Sequence, residues 1–276
     1  MTRLAARALG AVIALLLAAS AAPVGAGGAE PACPTPPTLL SIKPALTYVA
    51  AKLAKRERLT ILAMGSSSTE GVGASSPAAS YPSRLEAELR RRFPGVDIRV
   101  INRGRGGEDA PEGVVRLERH VVADDPDLVI WQIGTNAALR GIDPAVQRAV
   151  LRRGIALVKE SAADVVLMDL QYAPRVLASP AHETMEKLIA EVAERNRVGL
   201  FRRFEIMRHW FVAAPSETAP AISADGLHMT DRSYACLAAG MAEAIARNWR
   251  QYHAERSPAT FAWRPGAADS DAGREP

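Results

Sequence analysis

Five short apolar runs, separated by longer amphipathic stretches, constrain this chain more than any other feature of it. The runs are 59–64, 98–102, 128–133, 165–170 and, less regular, 198–204. A strand with one wet face alternates apolar and polar residues; a run that stays apolar needs cover on both faces, as in a parallel sheet packed between helices. The stretches between the runs have helical spacing. Within 81–93, Leu85, Leu89 and Phe93 recur every four residues, and within 145–159 Val146, Val150, Leu151, Ile155 and Val158 share a face. Together they predict a doubly wound α/β fold: a three-layer α/β/α sandwich around a mainly parallel five-stranded sheet. Such sheets bind ligands beyond the carboxyl ends of their strands.

The single series of strand and helix signals in 276 residues reads as one domain, placed at 39–263. Ahead of it, residues 1–26 have the form of a secretory signal peptide: Arg3 and Arg7, an apolar core from Ala11 to Ala19, and small residues at Val24-Gly25-Ala26. That core is well short of the ~20 residues of a spanning helix, so cleavage is expected rather than a retained membrane anchor. The expectation is a secreted or periplasmic protein. Residues 27–38 read as an extended leader and 264–276 as a disordered tail.

The formal charge is +4, and removing Arg3 and Arg7 leaves 4 − 2 = +2. The arginine groups Arg90-Arg91-Arg92 and Arg202-Arg203 lack interleaved aromatics, so a solvated face is expected for them and a nucleic-acid partner is not. Two cysteines, Cys33 and Cys236, follow the signal segment. They either pair in an oxidising compartment or remain apart, Cys236 buried in the last helix and Cys33 in a Pro-rich arm; the sequence leaves both open. Cysteines and histidines do not fall at zinc-site spacing.

The chemistry-bearing residues cluster just after predicted strands or just before a helix. In Gly65-Ser66-Ser67-Ser68-Thr69-Glu70-Gly71 an apolar strand breaks into a turn that can present a hydroxyl. A serine is a weak nucleophile unless a base, an orienting carboxylate and oxyanion donors join it. The loop Asn102-Arg103-Gly104-Arg105-Gly106-Gly107-Glu108 offers backbone N–H groups, and Asn136 in Gly134-Thr135-Asn136 offers a side-chain amide. Asp225-Gly226-Leu227-His228 supplies an imidazole that can serve as general base and a carboxylate close enough to orient it. His120, His182, His209 and His253 suit surface or packing roles, with His209 the reserve base. Arg103, Arg105 and Arg140 lie on or beside the oxyanion loops and would favour an anionic or polar substrate, while Tyr172 and Pro174 are placed on the cleft wall.

These four blocks resemble those of the SGNH hydrolases, the GDSL esterase and lipase family, over about residues 59–245. The resemblance implies a flavodoxin-like fold and a catalytic triad of Ser67, Asp225 and His228. It also implies an oxyanion hole formed by the N–H groups of Ser67 and Gly107 with the Asn136 amide. Acyl transfer to water would then run through an acyl-serine, without metal or cofactor, on a small-molecule or glycan ester. Ser66 stands where the family usually has Asp, which bears on pH profile and substrate range. Two alternatives share the fold: an acyltransferase acting on a glycan hydroxyl, and a catalytically silent carbohydrate-binding module. The silent module would have lost a catalytic residue, and every one is retained.

Overall fold

The two faces of a five-stranded, all-parallel sheet divide the core into two clusters, and strict alternation along each strand decides which residue joins which. The computed structural model describes residues 33–213 and 221–256. The expected signal segment, the leader before Cys33 and the tail lie outside the described residues. The strands are β1 (Leu59–Gly65), β2 (Ile98–Gly104), β3 (Leu128–Gln132), β4 (Asp164–Met168) and β5 (Gly199–Phe201), in the order β2-β1-β3-β4-β5. The helices are α1 (Thr47–Lys55), α2 (Ser67–Glu70), α3 (Tyr81–Arg92), α4 (Ala110–Asp124), α5 (Thr135–Arg140), α6 (Pro144–Glu160), α7 (Pro174–Leu177), α8 (His182–Arg195), α9 (Arg203–Ala213) and α10 (Asp231–Arg256).

Ile61, Ala63, Leu128, Ile130, Val166 and Met168 pack with Leu53 of α1, Leu85 and Leu89 of α3, and Leu237, Met241 and Ile245 of α10. Their strand neighbours Leu62, Met64, Val129, Trp131, Val165 and Leu167 pack with Leu117 of α4, Leu151 and Ile155 of α6, and Leu188 and Ile189 of α8. Both sheet faces are covered at β1, β3 and β4, which is why those strands read as nearly continuous apolar runs, while the edge strand β2 exposes Arg99 and Asn102. Each fully buried Leu or Ile contributes about 1.5–3 kcal/mol of transfer free energy.

The chain leaves β1 through α3 on one face to reach β2, then crosses through α4 on the other face to reach β3. β1 therefore has its successors on opposite sides, and the crevice beyond the carboxyl ends of β1 and β3 is the topological switch point. The three predicted blocks at 65–71, 102–108 and 134–136 lie at the carboxyl ends of β1, β2 and β3.

Two predicted features shift. The fifth run was expected as a strand over 198–204, but β5 ends at Phe201 because the N–H of Phe204 donates to Asp169 Oδ1 (2.9 Å) and α9 begins at Arg203. Val146, expected on the buried face of α6, is 49% exposed, and Gln147 takes the inward place.

The amino-terminal arm is fastened to α10. Cys33 and Cys236 form a disulfide. Further along, the Asn248 amide accepts from Leu46 N (2.8 Å) and donates to Ile42 O (2.9 Å) and Pro44 O (3.0 Å). Asp164 caps α1 from β4, accepting from Thr47 N at 3.1 Å and Val49 N at 3.0 Å. Burial pushes the Asp164 carboxyl up to about 6, against the pull of those backbone N–H groups. Among the described residues no helix is long and apolar enough to cross a membrane.

Candidate active site

At the end of β1 the chain turns under tight steric conditions. Gly65 has φ +154°, and a Cβ there would lie 2.8 Å from the Gln132 Cβ. Its β2 partner in register is Gly104, where a Cβ would lie 2.7 Å from the Glu70 Cα. Glycine at both positions lets the single turn of α2 lie directly over the ends of β1 and β2. Ser67 opens that turn, and its carbonyl accepts from Gly71 N and Val72 N, both at 2.9 Å. Beneath it, Oε1 of Gln132 accepts from Ser66 N (3.0 Å), Ser66 Oγ (3.1 Å) and Thr69 Oγ1 (3.3 Å). The Ser66 hydroxyl thus ties the turn to β3.

The Ser67 Oγ faces His228 Nε2 at 2.7 Å. On the other side of the ring, His228 Nδ1 contacts Asp225 Oδ2. A carboxylate on Nδ1 favours the tautomer protonated there and leaves Nε2 to accept from the serine hydroxyl. The loop carrying both residues is closed at its base by an Ile222–Met229 bridge and by Ser223 N donating to His228 O (2.8 Å). Asp225 Oδ1 accepts from Ser223 Oγ (2.6 Å), Leu227 N (2.9 Å) and His228 N (3.0 Å). Desolvation works to raise the Asp225 carboxyl, but hydrogen bonds from Ser223, from the His228 ring and from the backbone of His228 and Leu227 outweigh it. They hold it well below the usual carboxylate range.

A third wall comes from the loop after β2. Gly106 N donates to Glu70 Oε2 (2.7 Å), which joins this loop to α2. The Gly107 carbonyl accepts from Arg140 Nη2 (2.7 Å), whose Nη1 pairs with Asp109 (3.1 Å). Asn136, in the first turn of α5, donates from Nδ2 to the Glu108 carbonyl at 2.6 Å. That bond orients the amide and leaves its other N–H available. Ser66, Glu108, Gln132, Gly134 and Asn136 line one cleft between the ends of β1 and β3. The Glu108 carboxylate is buried and paired with Arg116; burial raises its pKa, and Arg116 opposes the rise.

The other predicted residues fall into place around this core. Arg103 is occupied by Asp124, with bonds of 3.0 and 2.7 Å, and Arg140 by Gly107 and Asp109. The exposed Arg105 donates its backbone N–H to the Gly65 carbonyl at 2.9 Å. Tyr172 is half-buried, its ring 5.2 Å from Phe204 and 5.4 Å from Phe211 between centroids. Pro174 begins α7, and the next residue, Arg175, donates its N–H to the Gly226 carbonyl (3.0 Å), so this segment braces the Asp225–His228 loop. His120 pairs with Asp124, His182 stacks on Phe204, His209 lies on α9 and His253 packs on Trp249.

Sequence reasoning missed Gln132, Ser223, the Glu108–Arg116 pair and Gln171. Gln171 Oε1 accepts from Thr135 Oγ1 and from Arg203 Nη2, both at 2.8 Å, beside Asn136; Arg203, expected on a solvated face, is instead buried, its guanidinium held by Gln171 and the Asp169 carbonyl. A polar residue inside or just after an apolar run was the available signal for Gln132 and Gln171. Among the described residues, no group of three or more His, Cys, Asp or Glu side chains is arranged to hold a metal ion.

Residues 32–251 match the model of the non-GDSL lipase-like family. An arylesterase from Vibrio mimicus is 37% identical over 95 residues, which cover 34% of this chain and 46% of that protein, less than half its length. Esterase TesA from Pseudomonas aeruginosa is 25% identical over 173 residues, 61% of this chain and 79% of that protein. The crystal structure of AlinE4, an SGNH-hydrolase family esterase, superposes with a TM-score of 0.51 at 28% identity, covering 69% of this chain and 96% of that one.

Proposed function

We propose that this chain, which belongs to the non-GDSL lipase-like family within the SGNH/GDSL type, is an exported serine esterase that cleaves carboxylic esters through an acyl-serine intermediate. The observation that carries the proposal is the continuous line from Ser67 Oγ through the His228 ring to the Asp225 carboxylate. In this reading Ser67 Oγ attacks the ester carbonyl while His228 Nε2 takes its proton. Asp225 holds the ring in orientation and stabilises the imidazolium. Charge develops on the carbonyl oxygen, where the N–H groups of Ser67 and Gly107 and the Asn136 amide receive it. The tetrahedral species collapses, the C–O bond to the alcohol breaks, and the alkoxide leaves with the proton from His228. Water then attacks the acyl-serine, giving its proton to His228, and release of the carboxylic acid returns that proton to Ser67.

Export is supported by the signal-type segment 1–26 and by the Cys33–Cys236 disulfide, since such bonds persist in oxidising compartments. The substrate is a small-molecule or glycan ester. The test is hydrolysis of 4-nitrophenyl acetate, butyrate and octanoate by the wild type and by Ser67→Ala, with and without a glycan acceptor. Acid release lost in the variant supports the esterase. Ester of the acceptor as the main product assigns the transferase instead.

A further inference from the structure

Ser67, in the turn of α2, and His228, in the loop before α10, are 161 residues apart in sequence, so a hydrogen bond of 2.7 Å between them requires something to fix one segment against the other. The connection is made just beyond both residues. The segment after Ser67 folds back through Gly71 and Val72, whose N–H groups both bond the Ser67 carbonyl. The Val72 carbonyl accepts from the hydroxyl of Tyr234 (2.7 Å), a buried residue on α10. Gly73 packs against the His228 loop, where a Cβ would come within 3.1 Å of the His228 Cβ. Ser75 then gives both of its donors to a single carboxylate: its N–H to Asp231 Oδ1 at 2.7 Å and its hydroxyl to Asp231 Oδ2 at 2.5 Å. Asp231 starts α10 three residues after His228.

We propose that Asp231 is a positioning residue for the Ser67–His228 pair, acting through its two-pronged bond to Ser75. The proposal rests on the esterase reading of the same site. Two donors on one carboxylate define an orientation as well as a distance, because rotating either loop breaks one of the two bonds. The pair lies at the surface, so it can be altered without opening a core. Positioning of this kind is costly to lose: a displacement of about 1 Å can reduce turnover by about 10²-fold.

A carboxylate in the first turn of a helix also favours that helix whatever it touches. That purely structural role is separated by Ser75→Ala, which leaves the charge on α10 intact and removes one of the two bonds. Turnover of 4-nitrophenyl acetate is measured for Asp231→Ala, Asp231→Asn, Ser75→Ala and the double variant, at a temperature where circular dichroism shows each folded. Ser67→Ala serves as the inactive reference. The expected result is kcat lowered about tenfold by Asp231→Ala and about threefold by Ser75→Ala, with KM within about twofold of wild type. The double variant is expected to be no worse than Asp231→Ala alone, and Asp231→Asn, which keeps an acceptor for the Ser75 N–H, to recover most of the loss. If kcat stays within twofold of wild type in both single variants while Ser67→Ala is inactive, the positioning role is overturned and the esterase reading stands. If Ser67→Ala itself turns over at the wild-type rate, the esterase reading fails and the positioning role falls with it.

Discussion

Ser66 gives both its backbone N–H and its hydroxyl to one atom, Oε1 of the buried Gln132, at 3.0 and 3.1 Å. The bond pair crosses from the turn that carries Ser67 to the carboxyl end of β3, so the position of Ser67 depends on a strand it does not belong to. Gln132→Ala removes the acceptor and leaves the buried Ser66 N–H without it, which costs about 1–3 kcal/mol of stability. Urea unfolding together with kcat checks this. The expected outcome is a lower midpoint and a fall in kcat, whereas Ser66→Ala, which keeps the N–H bond, has the smaller effect on both.

Asp225 is partly solvent-exposed but accepts four hydrogen bonds, and its carboxyl is held well below the usual range. It therefore stays ionised through mild acid, and an acid limb in the pH–rate profile reports on another group. Asp225→Asn retains the shape but loses the charge and the tautomer preference, for an expected fall in kcat of about 10⁴-fold. Asn136→Ala removes one of the proposed oxyanion donors, for an expected fall in kcat of about 10²- to 10³-fold. Steady-state kinetics on 4-nitrophenyl acetate measures both.

Much of this architecture was legible because its causes are local. The mostly apolar runs at 59–64 and 128–133 follow from cover on both sheet faces, and Asp225 and His228 sit three residues apart on one closed loop. What escaped depends on distant partners. Gln132 looks like the polar end of a strand until Ser66 and Thr69 are seen above it. Arg103 and Arg140 looked available to substrate, but Asp124 and the Gly107 carbonyl occupy them. The fifth strand was read too long because its end is set by Asp169, more than thirty residues upstream. Val146 fitted the helical stripe, but the actual packing rotates α6 so that Gln147 points inward.

Asp164 gives stability a pH dependence of defined sign. An ordinary aspartate has its pKa near 3.8, and in the fold burial raises this one to about 6. As pH rises through that interval the unfolded chain has already released its proton while the folded protein retains it, so stability falls with rising pH and levels off above 6. The shift corresponds to about 3 kcal/mol at most. Asp164→Asn cannot titrate. The difference in unfolding free energy between wild type and variant is therefore expected to move in the variant's favour between pH 4 and pH 6.5, as read from urea titrations at several pH values.

The Cys33–Cys236 bond closes a loop with a sequence separation of 203 residues and ties the arm that precedes α1 to α10. Chain-entropy reasoning assigns such a closure about 5 kcal/mol as an upper figure. Reduction, or the Cys33→Ser and Cys236→Ser double substitution, is expected to lower the unfolding midpoint substantially while leaving the residues around Ser67 in place. Thiol titration of denatured, unreduced protein should find no free thiol, and two free thiols would contradict the bond.

Covalent labelling tests the proposed nucleophile, Ser67, most directly. Purified protein is treated with diethyl 4-nitrophenyl phosphate and the modified residue is located by fragmentation mass spectrometry, with Ser67→Ala in parallel. The expected result is one diethyl phosphoryl group on Ser67, loss of esterase activity in proportion to labelling, and no labelling of the variant. A label on Ser66, Ser68 or any other residue, or labelling of Ser67→Ala at the wild-type rate, would contradict it.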